Sequence, residues 1–434
     1  MSARGDDALR GRAAAAVASV ARRLAHPGAA EHPDVSAFRA ASLSDGAPGI
    51  TLLHAELART DAAHRDAAQR WVRRAAALTA LAGKAPAPGP QGLYGPLAAL
   101  SFALHRAAAG PGAQSTARAH LRDQVAELAN ARAAREERRL GENPGGACGF
   151  TSFTAYDVIS GQSGLGAHLL EVGRPAEAAL GRVLRALGAL GRPVPAPDRM
   201  LPGWWVALDG ASYRPVAPAD GHANLGMAHG VPGPLALLAL AWRQGVRVPG
   251  QRAAITGLAE WLLARRRADD AGSWWPGQVS LGPAQPEPGR PSWCYGTPGI
   301  ARALQLAGLA LEVPHWQEAA VGALRAALVR ADLAQTAEAG LCHGLAGLLQ
   351  ITWRTARDSG DPELAAHLPR LAARLLELVD EDAPFAFATA PGERPPDEHP
   401  GGFLTGAAGA ALALHTFASD SAPATRWDRA LLLA

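Results

Sequence analysis

Seven short, almost wholly apolar runs punctuate this chain, and each begins at a Gly-x-x-Gly element. The elements fall at residues 46–49, 92–95, 161–164, 230–233, 296–299, 344–347 and 406–409. Runs such as residues 235–240 and 345–351 are apolar around the whole helical circumference, which predicts fully buried helices. Amphipathic stretches lie between them. In one, Leu364, Leu368, Leu371, Leu375 and Leu378 recur every three or four residues, with Glu363, Arg370, Arg374 and Glu377 on the other face. Pro369 is expected to restart or kink that helix. Residues 252–267 and 315–329 are two more such stretches. Residues 11–21 superficially suggest a signal sequence. However, they are alanine-rich, Asp6 and Asp7 precede them, and Val17, Val20 and Leu24 keep helical spacing, so the reading is an amphipathic first helix.

Seven buried helices alternating with seven amphipathic ones predict an all-α fold of two concentric layers. Closing such layers into a ring leaves no half-buried end, which gives an α/α toroid formed by a single domain, residues 1–434. The glycine turns are expected to gather at one end of the inner barrel, where glycine allows positive φ and close packing. The helix N-termini would then converge on a central pocket. Three irregular segments are expected on the rim, at about 193–224, 271–291 and 384–402. The first reads as a small β-hairpin, with Trp204, Trp205 and Val206 before a turn at Asp209-Gly210 and Tyr213 and Val216 after it. The first two segments carry paired tryptophans, which suit either contact with a peptide or packing against the barrel.

Composition narrows the class. The 434 residues are 48% apolar, and the β-branched and aromatic residues that build large sheets are sparse. The formal net charge is only +3 and the arginines are scattered, so there is no nucleic-acid stripe. Every apolar run is interrupted before transmembrane length. Three cysteines cannot build a disulfide framework.

Two of those cysteines stand at the head of Gly-x-x-Gly elements, in Trp293-Cys294-Tyr295-Gly296 and Cys342-His343-Gly344. Two thiolates and an imidazole form a soft three-ligand set suited to Zn²⁺, with a fourth position left for catalysis. Cys148 lies in a glycine-rich stretch outside the repeats and is expected to be structural or incidental. His229 holds the same repeat position as Tyr295 and His343, which makes it a candidate general acid/base. Asp157 would either cap a helix or orient His229. Arg290 would be either a solvated loop cation or a stabiliser of developing oxygen charge. His54, His105 and His168 read as core histidines, and His222 as a loop residue.

These motifs, together with Asn224-Leu225-Gly226-Met227-Ala228-His229-Gly230, resemble the LanC-like family, the lanthionine synthetase cyclases. The resemblance covers most of the chain and implies an α/α toroid. It also implies zinc ligands at Cys294, Cys342 and His343, an acid/base histidine at His229, an active-site aspartate at Asp157 and an arginine at Arg290. It further implies a Michael-type addition of a peptide cysteine to dehydroalanine or dehydrobutyrine, forming lanthionine or methyllanthionine. No dehydratase or kinase-like region precedes the repeats, so the chain is similar to the free-standing class I cyclase. The expected partners are a dehydrated precursor peptide (leader plus core), a separate dehydratase and an export transporter. The expected location is the cytoplasm, in association with a membrane-bound complex. The alternatives are a relative that adds glutathione to dehydrated proteins, or a non-catalytic peptide-binding toroid with zinc.

Overall fold

The structure, a computed structural model, describes residues 3–30, 35–84, 91–108, 115–142, 150–196, 198–209, 214–282, 287–331, 333, 336–387 and 400–434. The chain divides into two compact units: Met1–Leu121 with Ala331–Asp428, and Arg122–Arg330 with Arg429–Ala434.

In the first unit the buried helices are Ala47–Leu57, Pro96–Ala107, Leu345–Ser359 and Ala407–Ser419. Every residue of Ala47–Leu57 is buried, as expected of a segment without a polar face. The amphipathic helices are Ala3–Arg23, His64–Ala82 and Pro362–Glu377. Ala3–Arg23 buries Leu9, Ala13, Val17 and Val20 and packs on Ala407–Ser419, as a folded amphipathic helix would. Pro362–Glu377 runs unbroken through Pro369, so the proline does not restart it. Leu364, Leu371 and Leu375 are fully buried, and this apolar row holds the helix through the hydrogen bond that proline removes.

The second unit repeats the alternation. Its buried helices are Gln162–Val172, Pro232–Arg243 and Thr297–Leu311. Its amphipathic helices are Glu177–Ala189, Gln251–Leu263 and Pro314–Arg330, together with most of Ser115–Glu142. Three two-stranded antiparallel sheets join Val194–Ala196 to Arg199–Leu201, His222–Asn224 to Gln278–Ser280, and Arg267–Asp269 to Gly272–Trp274. The hairpin expected around residue 209 shows as the antiparallel pairing of Leu208 with Pro215; its turn, residues 210–213, lies outside the described residues. His222 is a buried strand residue bonded to the Leu208 carbonyl at 2.9 Å, rather than a loop residue.

The glycine turns show the expected close packing but not the expected positive φ, and once they differ in register. The glycines that cap six of the buried helices have φ between −77° and −108°, so positive φ is not their purpose. The requirement is close approach. A Cβ on Gly49 would lie 2.5 Å from the Leu43 carbonyl and 2.6 Å from Phe403 Cβ. The same fit recurs between neighbouring repeats, with Gly409 on Leu341, Gly299 on Met227 and Gly233 on Val158. In the second repeat the capping glycine is Gly95, not Gly92, and Ala98 takes the second-glycine position.

Backbone bonds then tie turn to turn. Leu43 donates to Tyr94, and Phe403 and Leu404 both donate to Ser44, at 2.7–3.1 Å. Cys342 donates to Leu404 at 2.9 Å. In the second unit Val158 donates to Ala228, and Ala228 to Cys294. The seventh repeat therefore docks directly on the first.

The paired tryptophans are packing residues. Trp204, Trp205, Trp274 and Trp275 are all buried, and the Trp275 indole donates to the Leu262 carbonyl at 2.8 Å. Among the described residues no helix is long and apolar enough to cross a membrane.

Candidate active site

The residue just before each capping glycine is set by the turn, and these positions carry much of the polar chemistry: Asp45, Tyr94, Ser160, His229, Tyr295, His343 and Thr405. Two positions before the glycine, most repeats place an aliphatic residue, while the fifth and sixth place Cys294 and Cys342. Cys294 is buried, with Ser292 Oγ 3.7 Å from its sulfur, and Cys342 is half-buried.

Cys294, Cys342 and His343 form a group in which one ligand atom from each residue lies within 4.8 Å of the others. The donors, two sulfurs and one imidazole, are the soft combination that zinc takes. His343 Nε2 also lies 2.9 Å from the carboxylate of Glu338. With Nε2 engaged there, Nδ1 is the nitrogen left to ligate a metal, and the carboxylate makes the ring a stronger donor.

Beside Cys342, Tyr94 is fully buried. Its phenol is pushed well above the usual range, first by burial and then by the charge of Cys342, so it stays a neutral hydroxyl. Sequence reasoning missed both neighbours. Glu338 stands six residues before its capping glycine, the same place as Arg290, and that equivalence was a readable signal. Tyr94 was hidden by the misregistered second repeat.

Asp157 and His229 meet directly. Asp157 is wholly buried, and its carboxylate lies 2.5 Å from His229 Nδ1. The same carboxylate accepts from the Ser160 backbone N–H at 2.7 Å and from the Ser160 hydroxyl at 2.9 Å. It thus both closes its own turn and orients the histidine, combining the two roles the sequence left open. Arg132 lies nearby: its guanidinium donates to the Ser160 carbonyl, and the charge of Asp157 acts on it against the effect of its burial. The His229 ring is held between Phe153 and Tyr295, at 5.6 and 6.1 Å between centroids. Arg290 is exposed, and its backbone carbonyl lies against Gly296 in the turn that carries Cys294. Cys148 lies outside the described residues.

Within the second unit, a buried carboxylate set against an imidazole is an arrangement that can hold and move a proton. The profile of the lanthionine synthetase C-like proteins matches residues 37–432, and the chain belongs to that family. It is 28% identical over 144 residues to the nisin biosynthesis protein NisC of Lactococcus lactis subsp. lactis, an alignment spanning 33% of this chain and about a third (31%) of that protein. Among solved structures it resembles nisin cyclase, with a TM-score of 0.71 and 20% identity, covering 91% of this chain and 93% of the other. The fold is accordingly all-α, of the α/α-toroid class, with small antiparallel hairpins.

Proposed function

We propose that this protein is a zinc-dependent peptide cyclase. It would add a cysteine thiol across the double bond of a dehydroalanine or dehydrobutyrine in the same peptide, giving a lanthionine or methyllanthionine ring. The gathering of Cys294, Cys342 and His343 carries this reading, because the three supply a zinc-fitting donor set and no fourth protein ligand joins them among the described residues. Zinc bound there would keep a substrate thiol ionised at neutral pH.

The remaining chemistry falls to the chain's own side chains. The substrate sulfur forms a bond to the β-carbon, the π electrons move onto the α-carbon and its carbonyl, and an enolate must take up a proton. Asp157 holds the proton on His229 Nδ1, which assigns Nε2 to deliver a proton to the α-carbon. The buried carboxylate also stabilises the imidazolium before transfer. Arg290 serves as counter-charge to the enolate oxygen. Net, S–H adds across C=C and no redox partner is needed.

The substrate is a precursor peptide dehydrated by a separate enzyme. Dehydratase and export transporter are the expected company, and the cytoplasm the expected site of work. The reading is tested by metal analysis and product mass and stereochemistry. Cys294→Ala and Cys342→Ala should each lose zinc and ring formation together; full zinc retention in both would overturn it.

A further inference from the structure

We propose that a groove beside the helices Glu177–Ala189 and Gln251–Leu263 binds an acidic, apolar-studded stretch of the peptide substrate, separate from the residues that react. The proposal rests on the peptide-cyclase reading above. The groove encloses about 710 Å³ and lies entirely within the second unit. Small residues make its floor, among them Gly188, Ala254 and Gly257. A Cβ on Gly257 would meet nothing within 4 Å, so the space above that helix is open.

The walls combine two chemistries. Trp261 and Met200 offer apolar surface, and Met200, 60% exposed, is one of few large apolar side chains left in solvent. Arg185, Arg192 and Arg265 also line the groove, and among the described residues no aspartate or glutamate does. Arg265 stacks on the Trp261 ring at 3.6 Å and donates to the Trp261 carbonyl at 3.0 Å. Among the described residues neither Arg192 nor Arg265 has a carboxylate partner. Burial alone pulls the Arg265 guanidinium below its ordinary range, the signature of a partly desolvated cation without a counter-charge. An occupant bringing carboxylates would supply that charge, and its apolar side chains would cover Trp261 and Met200. A concave groove of this volume lined by small residues has room for a peptide segment, whereas a lipid surface is flat.

The groove can be plugged without disturbing the fold. Gly257→Trp adds a side chain into open space on a helix, where glycine is already a poor choice. Random peptides displayed on phage would be selected on the immobilised full chain and counter-selected on the Gly257→Trp chain. The recovered peptides should be rich in Asp or Glu interleaved with apolar residues. They should bind the parent at least tenfold more tightly than either Gly257→Trp or the double variant Arg192→Glu/Arg265→Glu, and should weaken as salt rises. Zinc content and helical circular dichroism of both variants should match the parent. No recovered peptide, peptides without acidic enrichment, or equal affinity for Gly257→Trp would each overturn the inference. So would competition by phosphatidylglycerol vesicles with no peptide selectivity. Because binding is read without turnover, peptides that bind a chain unable to close rings would sink the cyclase reading and leave the groove standing.

Discussion

His343 and His229 are each steadied by a carboxylate, but the two carboxylates have different origins. Glu338 lies five residues before His343, in the same turn, while Asp157 reaches His229 from the preceding repeat, 72 residues away. Removing the charge from Glu338 should therefore weaken metal binding without unfolding the turn. Glu338→Gln is expected to lower zinc affinity 10- to 100-fold, read by competition with a chelator of known affinity. Asp157→Asn should leave zinc content unchanged, since among the described residues the Asp157 carboxylate bonds His229 and its own turn. Its product yield should fall by at least 100-fold, close to that of His229→Asn, because the imidazole would lose both its orientation and its counter-charge. An Asp157→Asn variant that cyclises like the parent would reduce the carboxylate to a helix cap. The residue types of this site were legible, because cysteine and histidine are scarce and sat at one repeat position. Glu338 and Tyr94 were less so, since glutamate and tyrosine carry no comparable signal until the turn geometry places them.

At the scale of elements, the buried helices depend on glycines that permit contact, and their tolerance should differ sharply from that of exposed glycines. A methyl on Gly409 would collide with the Phe403 carbonyl and meet Leu341 at 2.8 Å, so Gly409→Ala should cost about 2 kcal/mol or more. Gly322, in the helix Pro314–Arg330, has nothing within 4 Å of its Cβ position. Gly322→Ala should instead stabilise by about 0.5–1 kcal/mol. Urea denaturation of the two variants beside the parent checks both signs.

A second element-level effect is acid sensitivity. His54 joins three elements, with Nε2 2.9 Å from the Leu24 carbonyl and Nδ1 3.2 Å from His64 Nδ1. Burial drives its pKa from 6.5 down to about 4. As pH falls below 6.5 the unfolded chain takes up this proton before the folded one does, so stability is full above pH 6.5 and declines toward pH 4. The loss from this one group is about 3 kcal/mol. His222, His367 and His415 shift the same way through burial and steepen the decline. His54→Gln should flatten the slope by one proton in denaturation series between pH 7 and 4.5.

For the whole molecule, the last residues serve both units. Asp428 accepts from Arg354 at 2.6 Å and from Gln350 at 2.8 Å in the first unit. In the second, the Leu433 carbonyl takes two bonds from Arg302, which is 1% exposed, and the Leu431 carbonyl takes the Trp293 indole at 3.0 Å. Deleting residues 429–434 would leave the Arg302 guanidinium buried without these acceptors. The expected cost is at least about 3 kcal/mol, and Arg302→Met in the shortened chain should recover part of it. Thermal unfolding of the three chains reads both effects.

The sequence by itself determined the alternation of helices and singled out Cys294, Cys342 and His343, because burial on all sides and on one side leave different periodicities and because cysteines are few. It also marked the glycines and their close packing, while the positive φ it allowed them is not used at six of the seven turns. Only the tertiary structure decided that the paired tryptophans pack inward, that Glu338 stands against His343, and that Asp157 reaches His229. The tryptophans and Asp157 find partners far along the chain, and Glu338 meets His343 only through the fold of their shared turn, so packing rather than spacing chose each contact.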